Sequence, residues 1–370
     1  MGGSAVEGPI SMKTLNEVVA ASAASSPAAD QAVHLQAADE DTWVIHEGLA
    51  GGANALFCVF DGHGMEGEKC SRQVASQLPS LLVHSAHFKA RRYSEAFQEQ
   101  FLACNQALLK QRSINCSLSG STGVVAFLQD KGHLLVAGVG DSRCMLGRLQ
   151  PDGAVRAVPL SIDHTPDNPT EAARVRLHGG RLEPYRIGYE EMGPCRVWLA
   201  DSDTPGLSMT RAFGDAVAAT VGIIAQPDVM QVVLQPEDCY MLLCSDGIYE
   251  FMTNDEIMAL VHERAQQGSQ PFEIAQHLVR TARSQWLAEE EGGIDDCTAI
   301  VCILQQEGRS RRTGSMLPLD AAKAATAISR RMSGTPQVMA AQQTIAITAD
   351  ATVRRAARGT MVGSAALGES

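Results

Sequence analysis

The sequence predicts an α+β body built in layers. Three observations carry that reading. Seven short apolar runs with strand character cluster early and late in the chain. Five longer segments with helical spacing stand between and after them, mostly in pairs. The two kinds do not alternate strictly, so a doubly wound parallel sheet is not expected.

The strands are expected over Thr42–Ile45, Leu56–Phe60, Gly123–Gln129, His133–Val139, Ser142–Gly147, Tyr240–Cys244 and Thr298–Leu304. Each is rich in β-branched, aromatic or other large apolar residues and is bounded by turn formers. Asp130-Lys131-Gly132 reads as the turn of a hairpin. Apolar residues recur at helical spacing over Ser71–Leu82, Ser94–Arg112, Pro169–His178, Asn254–Gln267 and Phe272–Glu289. Thr253 or Asn254 ahead of Asp255-Glu256 suits an N-cap with acids in the first turn. Residues 1–37, rich in Ala and Ser, read as a mobile arm with a short helix over Thr14–Ala21. Residues 38–305 form the globular body. Residues 306–370 are low in complexity and read as a disordered tail.

The 370 residues carry a net charge of −12. From Gln305 onward nine Lys/Arg face four Asp/Glu, so the tail is +5 and everything before it is −17. An acidic body argues against a nucleic-acid partner, whose phosphates call for basic surface. None of the ten cysteines forms a CxxC pair, and no spacing suggests a zinc site. Cys58, Cys244 and Cys302 sit inside apolar runs, as small core residues of a reducing compartment. No apolar stretch reaches the length of a membrane span, and no secretory signal opens the chain. A cytoplasmic protein is expected, with the nucleus as a further location, and a monomer is the default. Met1-Gly2 fits the start of a myristoylation pattern, but Val6 stands where that pattern wants Ser or Thr, so the modification is not expected.

One physical theme recurs. An apolar strand delivers a carboxylate beside small residues at Phe60-Asp61-Gly62, Gly140-Asp141-Ser142, Ser245-Asp246-Gly247 and Ile294-Asp295-Asp296. Another acidic pair, Glu40-Asp41, precedes the first strand. Singly, each fits a turn acid. Gathered at strand ends, they would repel one another unless cations stood among them. Oxygen-only ligands select hard ions, which points to magnesium or manganese. Such a centre suits phosphate-ester hydrolysis, and His63, two residues after Asp61, is placed to protonate a leaving alkoxide.

The motifs FCVFDGHG at 57–64, GST at 120–122, VAGVGDSR at 136–143, DHTP at 163–166, LSMTRAFGD at 207–215, LLCSDGIYEFM at 242–252 and IDDCTAIV at 294–301 together resemble the protein phosphatase 2C family of metal-dependent Ser/Thr phosphatases. The wording is most similar to protist and plant branches. The resemblance implies a four-layer α/β/β/α sandwich, with two antiparallel sheets flanked by helix pairs and two metal ions at one end. It implies Asp61, the Gly62 carbonyl, Asp246 and Asp295 as metal ligands and His63 as the general acid. Glu40 matches an acid that orients metal-bound water. Asp141 matches a residue of a third, weaker metal position. Asp296 takes a place held by asparagine in the family pattern. Asp215 and Arg211 read as buttresses. Phosphoprotein substrates follow.

One departure stands out. Family members often carry an Arg just before the first acidic pair, where it grips the substrate phosphate. Between Lys13 and Lys69 this chain has neither Lys nor Arg. The phosphate-binding residue is therefore unassigned, with His34, His63, Arg72 and Arg186 as candidates. The same departure leaves a second reading open, a catalytically weak relative that binds phosphoproteins. The interval from Tyr185 to Pro205 reads either as a flap beside the site or as a surface loop with an aromatic anchor.

Overall fold

The computed structural model describes residues 33–38, 40–49, 54–129, 132–289, 295–304 and 346–347. In chain order the strands are β1 (Val33–Ala38), β2 (Asp41–Leu49), β3 (Asn54–His63), β4 (Gly120–Ser121), β5 (Gly123–Leu128), β6 (His133–Val139), β7 (Arg143–Leu149), β8 (Val155–Pro159), β9 (Arg181–Ile187), β10 (Glu190–Trp198), β11 (Pro205–Leu207), β12 (Phe213–Gly214), β13 (Asp228–Val233), β14 (Asp238–Cys244), β15 (Cys297–Ile303) and β16 (Ala346–Ile347). The helices are α1 (Gly67–His84), α2 (Ala86–Lys89), α3 (Tyr93–Lys110), α4 (Pro169–Leu177), α5 (Ala216–Ala219), α6 (Asp246–Tyr249), α7 (Asn254–Gln266) and α8 (Pro271–Glu289).

Two antiparallel sheets form the centre. One runs β1-β2-β3-β5-β6-β13, with β4 and β12 appended beside β3. The other runs β16-β15-β14-β7-β8. Alternation along β3 shows why its apolar run is unbroken. Ala55, Phe57 and Val59 face the second sheet, joining Val124, Leu146, Leu243 and Ile300. Leu56, Cys58 and Phe60 face the opposite way, onto Val74, Leu78, Phe97 and Phe101 of α1 and α3. Both faces are dry, and each buried aromatic or aliphatic side chain contributes about 1.5–3 kcal/mol. A third core lies under α7 and α8, where Ile257, Leu278 and Trp286 pack on Leu242 and Ala299. The order helix, sheet, sheet, helix is the expected four-layer sandwich.

All seven expected strands and all five expected helices are present, with ends shifted by up to four residues. α1 starts at Gly67 rather than Ser71, because the Gly-rich approach hides its first turn. Thr253 is the N-cap of α7 and closes a capping box with Glu256. The boundary expected at 37/38 falls inside β1, which pairs with β2 from Val33↔His46 to Ala38↔Asp41. The rest of the arm, Gly2, Asp130-Lys131 and the tail apart from β16 lie outside the described residues. Residues 185–205 are not a plain loop. β9, β10 and β11 make a separate antiparallel sheet with Trp198 buried and Tyr189 fully exposed. Pro184 and the short glycine-broken runs obscured it.

Outside the site, Glu171 anchors a buried ion network. Its carboxylate receives Arg174, Arg211 and the Thr210 hydroxyl, and Arg211 also reaches Asp228. Burial would raise the Glu171 carboxyl, but bonds from Arg211, Arg174 and Thr210 outweigh it and hold it at about 2, down from 4.5. Glu171→Gln is expected to destabilise the protein by about 3–5 kcal/mol, since two guanidinium groups lose a buried partner. Chemical denaturation of the variant measures this. The depressed carboxyl stabilises fully above pH 4.5, and that contribution fades as pH falls toward 2.

Candidate active site

Glu40, Asp41 and Asp61 of the first sheet come up to Ser245 and Asp296 of the second. Antiparallel register sets Asp41 of β2 directly opposite Asp61 of β3. Thr122 clamps the Asp61 backbone: its amide donates to the Asp61 carbonyl at 2.8 Å, and its hydroxyl accepts the Asp61 N–H at 3.0 Å. The Gly62 amide donates to the Glu40 carbonyl at 3.1 Å. A side chain at position 62 would collide with the carbonyls of Gly67 and Glu40, so this close approach needs glycine.

The second sheet reaches across through Ser245. Its hydroxyl donates to the Asp41 carboxylate at 2.8 Å and accepts the Thr298 amide at 3.0 Å. The Glu40 amide donates to the Asp296 carboxylate at 2.9 Å. Gly247 lies so close to the Asp296 carbonyl that a Cβ would not fit. Asp246 and Asp295 adjoin Ser245 and Asp296 in the chain, and the Asp295 carboxylate accepts the Asp296 amide at 2.9 Å. Burial raises the Cys297 thiol, and the charges of Asp41, Asp295, Asp246 and Asp296 raise it further.

This crowding has an electrostatic signature. Asp41 is wholly buried and pushed up to about 7, by burial first and then by the charge of Asp296. Its Oδ1 has no hydrogen-bond partner among the described residues. Asp141 is pushed up to about 6, by burial first and then by Asp163. Its carbonyl accepts the Tyr249 hydroxyl at 2.7 Å, and Arg143 stacks 3.4 Å over that ring. Among the described residues no three His, Cys, Asp or Glu side chains already close into a ligand cage. Even so, the donor set is all oxygen, the negative charge is concentrated, and the glycine cradle admits backbone. These features fit a hard divalent cation.

His63 ends β3 and pairs with Asp215 through Nε2, at 2.7 Å. Asp215 adopts a left-handed backbone with φ 49, and its amide donates to the Ser119 carbonyl at 3.0 Å. A Cβ on Gly120 would strike both members of the pair, so glycine there lets them close. Asp215 thus fixes the ring, and Nδ1 has no hydrogen-bond partner among the described residues.

Three of the four phosphate-binding candidates are already engaged. His63 bonds Asp215, Arg72 pairs with Glu68, and Arg186 pairs with Glu191. The side chain of His34 lies outside the described residues. Asp41 and Tyr249 were not singled out for roles from the sequence. The sequence marked Asp41 only as half of the Glu40-Asp41 pair ahead of the first strand, and nothing in it marked the Tyr249 hydroxyl.

Known proteins resemble this chain in sequence and in fold. The family model described as "Protein phosphatase 2C" matches residues 36–289. "Probable protein phosphatase 2C 72" of Arabidopsis thaliana is 34% identical over 280 residues, covering 73% of this chain and 82% of the relative. "Probable protein phosphatase 2C 61" of the same plant is 32% identical over 273 residues, covering 72% and 80%. The solved serine-threonine phosphatase 2C of Toxoplasma gondii shares the fold, with a TM-score of 0.64 at 24% identity, over 74% of this chain and 94% of that one. The family match over most of the body, together with relatives above 30% identity along most of their length, places this chain in the protein phosphatase 2C family, as a protein phosphatase.

Proposed function

We propose that this phosphatase removes phosphate from phosphoserine and phosphothreonine in proteins and depends on two magnesium or manganese ions, with a third, weaker position at Asp141. The observation that carries the reading is the buried junction Asp41–Ser245 and Glu40–Asp296, which locks the acid-bearing ends of both sheets together. Asp61, the Gly62 carbonyl, Asp246 and Asp295 would hold the ions, with Glu40 orienting water beside them. Bound there, the ions would polarise the phosphoryl oxygens and make water a nucleophile near neutral pH.

The chain's own residues supply the rest. Asp41 and Ser245 keep the two sheet ends at a fixed spacing. Thr122 holds the Asp61 backbone from both sides. His63, oriented by Asp215, gives a proton to the departing Ser or Thr oxygen. The missing upstream Arg favours a second reading, a weak enzyme that binds phosphoproteins. A manganese titration with a phosphothreonine peptide separates them. Phosphate release that rises with manganese supports the enzyme, and saturable binding without release supports the module.

A further inference from the structure

Two thiols meet beside the scaffold of His63. Cys70 lies in the first turns of α1, fully buried, and Cys116 lies in the segment leading to β4, 6% exposed. Their sulfurs are 3.8 Å apart, and both are reduced. A disulfide needs about 2.05 Å, so closure asks for a shift of under about 2 Å. The two sulfurs share a hydrogen bond that either can donate, and with Cys70 as the donor the Cys116 thiol is held below its ordinary range. Cys116 is thus both the more exposed and the more readily ionised of the two.

The surroundings give the pair a consequence. The Cys116 carbonyl accepts the Ala216 amide at 2.8 Å, Ser117 accepts Val217 at 3.0 Å, and Ser119 accepts Asp215 at 3.0 Å. This segment therefore carries the anchor of His63. α1 is held on its other side, where the Ser71 hydroxyl donates to the Glu40 carbonyl at 2.6 Å and meets Thr42 at 3.0 Å. When the sulfurs close, the Cys116 segment is the part that yields, and Asp215 moves with it.

We propose that Cys70 and Cys116 are an oxidative modification site that forms a reversible disulfide with a peroxide and thereby slows the phosphatase. The Cys116 thiolate attacks one peroxide oxygen; the O–O bond breaks, a sulfenic acid forms, and the released hydroxide takes up a proton to leave as water. The Cys70 sulfur then attacks the sulfenic sulfur. The S–S bond forms, the S–O bond breaks, and the Cys70 proton leaves with the oxygen as a second water. Two thiols are oxidised and one peroxide is reduced to two waters.

The test treats the full chain with hydrogen peroxide, quenches it, and maps peptides without reductant. A linked Cys70–Cys116 peptide is expected, absent in Cys116→Ser and in Cys70→Ala. Turnover of a phosphothreonine peptide is expected to fall roughly ten- to hundredfold and to return with dithiothreitol. Turnover of p-nitrophenyl phosphate, which needs little proton donation, is expected to change far less; this arm rests on the role given to His63. Cys116→Ser, checked for a normal melting curve, is expected to keep its phosphopeptide turnover in peroxide. No linked peptide overturns the site. A linked peptide with unaltered phosphopeptide turnover overturns its coupling to His63. The mapping is independent of the reaction, so its failure is distinct from failure of the phosphatase reading.

Discussion

Asp61→Asn is expected to lower kcat/KM on a phosphothreonine peptide about 10³-fold, as loss of about 4 kcal/mol of charge stabilisation implies. The residue lies two positions before the end of a strand buried on both faces and is held at its backbone by Thr122, so the amide variant keeps the fold. Only the charge is lost. Asp246→Asn is expected to act alike from the second sheet. Both variants should melt near the parent temperature, or above it, because each removes one repelling carboxylate from the junction. Steady-state kinetics and thermal melts on the same samples check the pair of claims. Near-parent turnover in Asp61→Asn would sink the assignment.

The second large effect lies at His63. His63→Gln is expected to slow phosphopeptide hydrolysis about 10²–10⁴-fold, the usual worth of general acid catalysis. p-Nitrophenyl phosphate, whose leaving group departs without a proton, should lose much less. Asp215→Asn should show the same split in milder form, since Asp215 orients the ring through the 2.7 Å bond to Nε2. Its melting temperature separates positioning from folding. Equal losses on both substrates in His63→Gln would contradict the general-acid role.

The central strands were legible because β3, β5, β6 and β14 are buried on nearly every residue and read as unbroken apolar runs. β13 and β9 were not, because they lie at sheet edges or outside the sandwich and alternate weakly with polar residues. At the site, Asp61, Asp246 and Asp295 announced themselves as acids beside small residues at strand ends. Asp41 did not, because its weight comes from facing Asp61 across a strand pair and from Ser245 reaching it over 204 positions. Asp296 was visible as a carboxylate in an asparagine place, while its bond to the Glu40 amide was a matter of tertiary structure alone. Local spacing reveals what one element presents; it is silent on which ends two sheets bring together.

The most direct measurement is phosphate release from a phosphothreonine peptide by protein stripped with EDTA, followed as manganese is returned. No turnover is expected after stripping, and full recovery with manganese, together with heat of binding at the same concentrations. Turnover that survives EDTA unchanged would contradict metal-dependent hydrolysis.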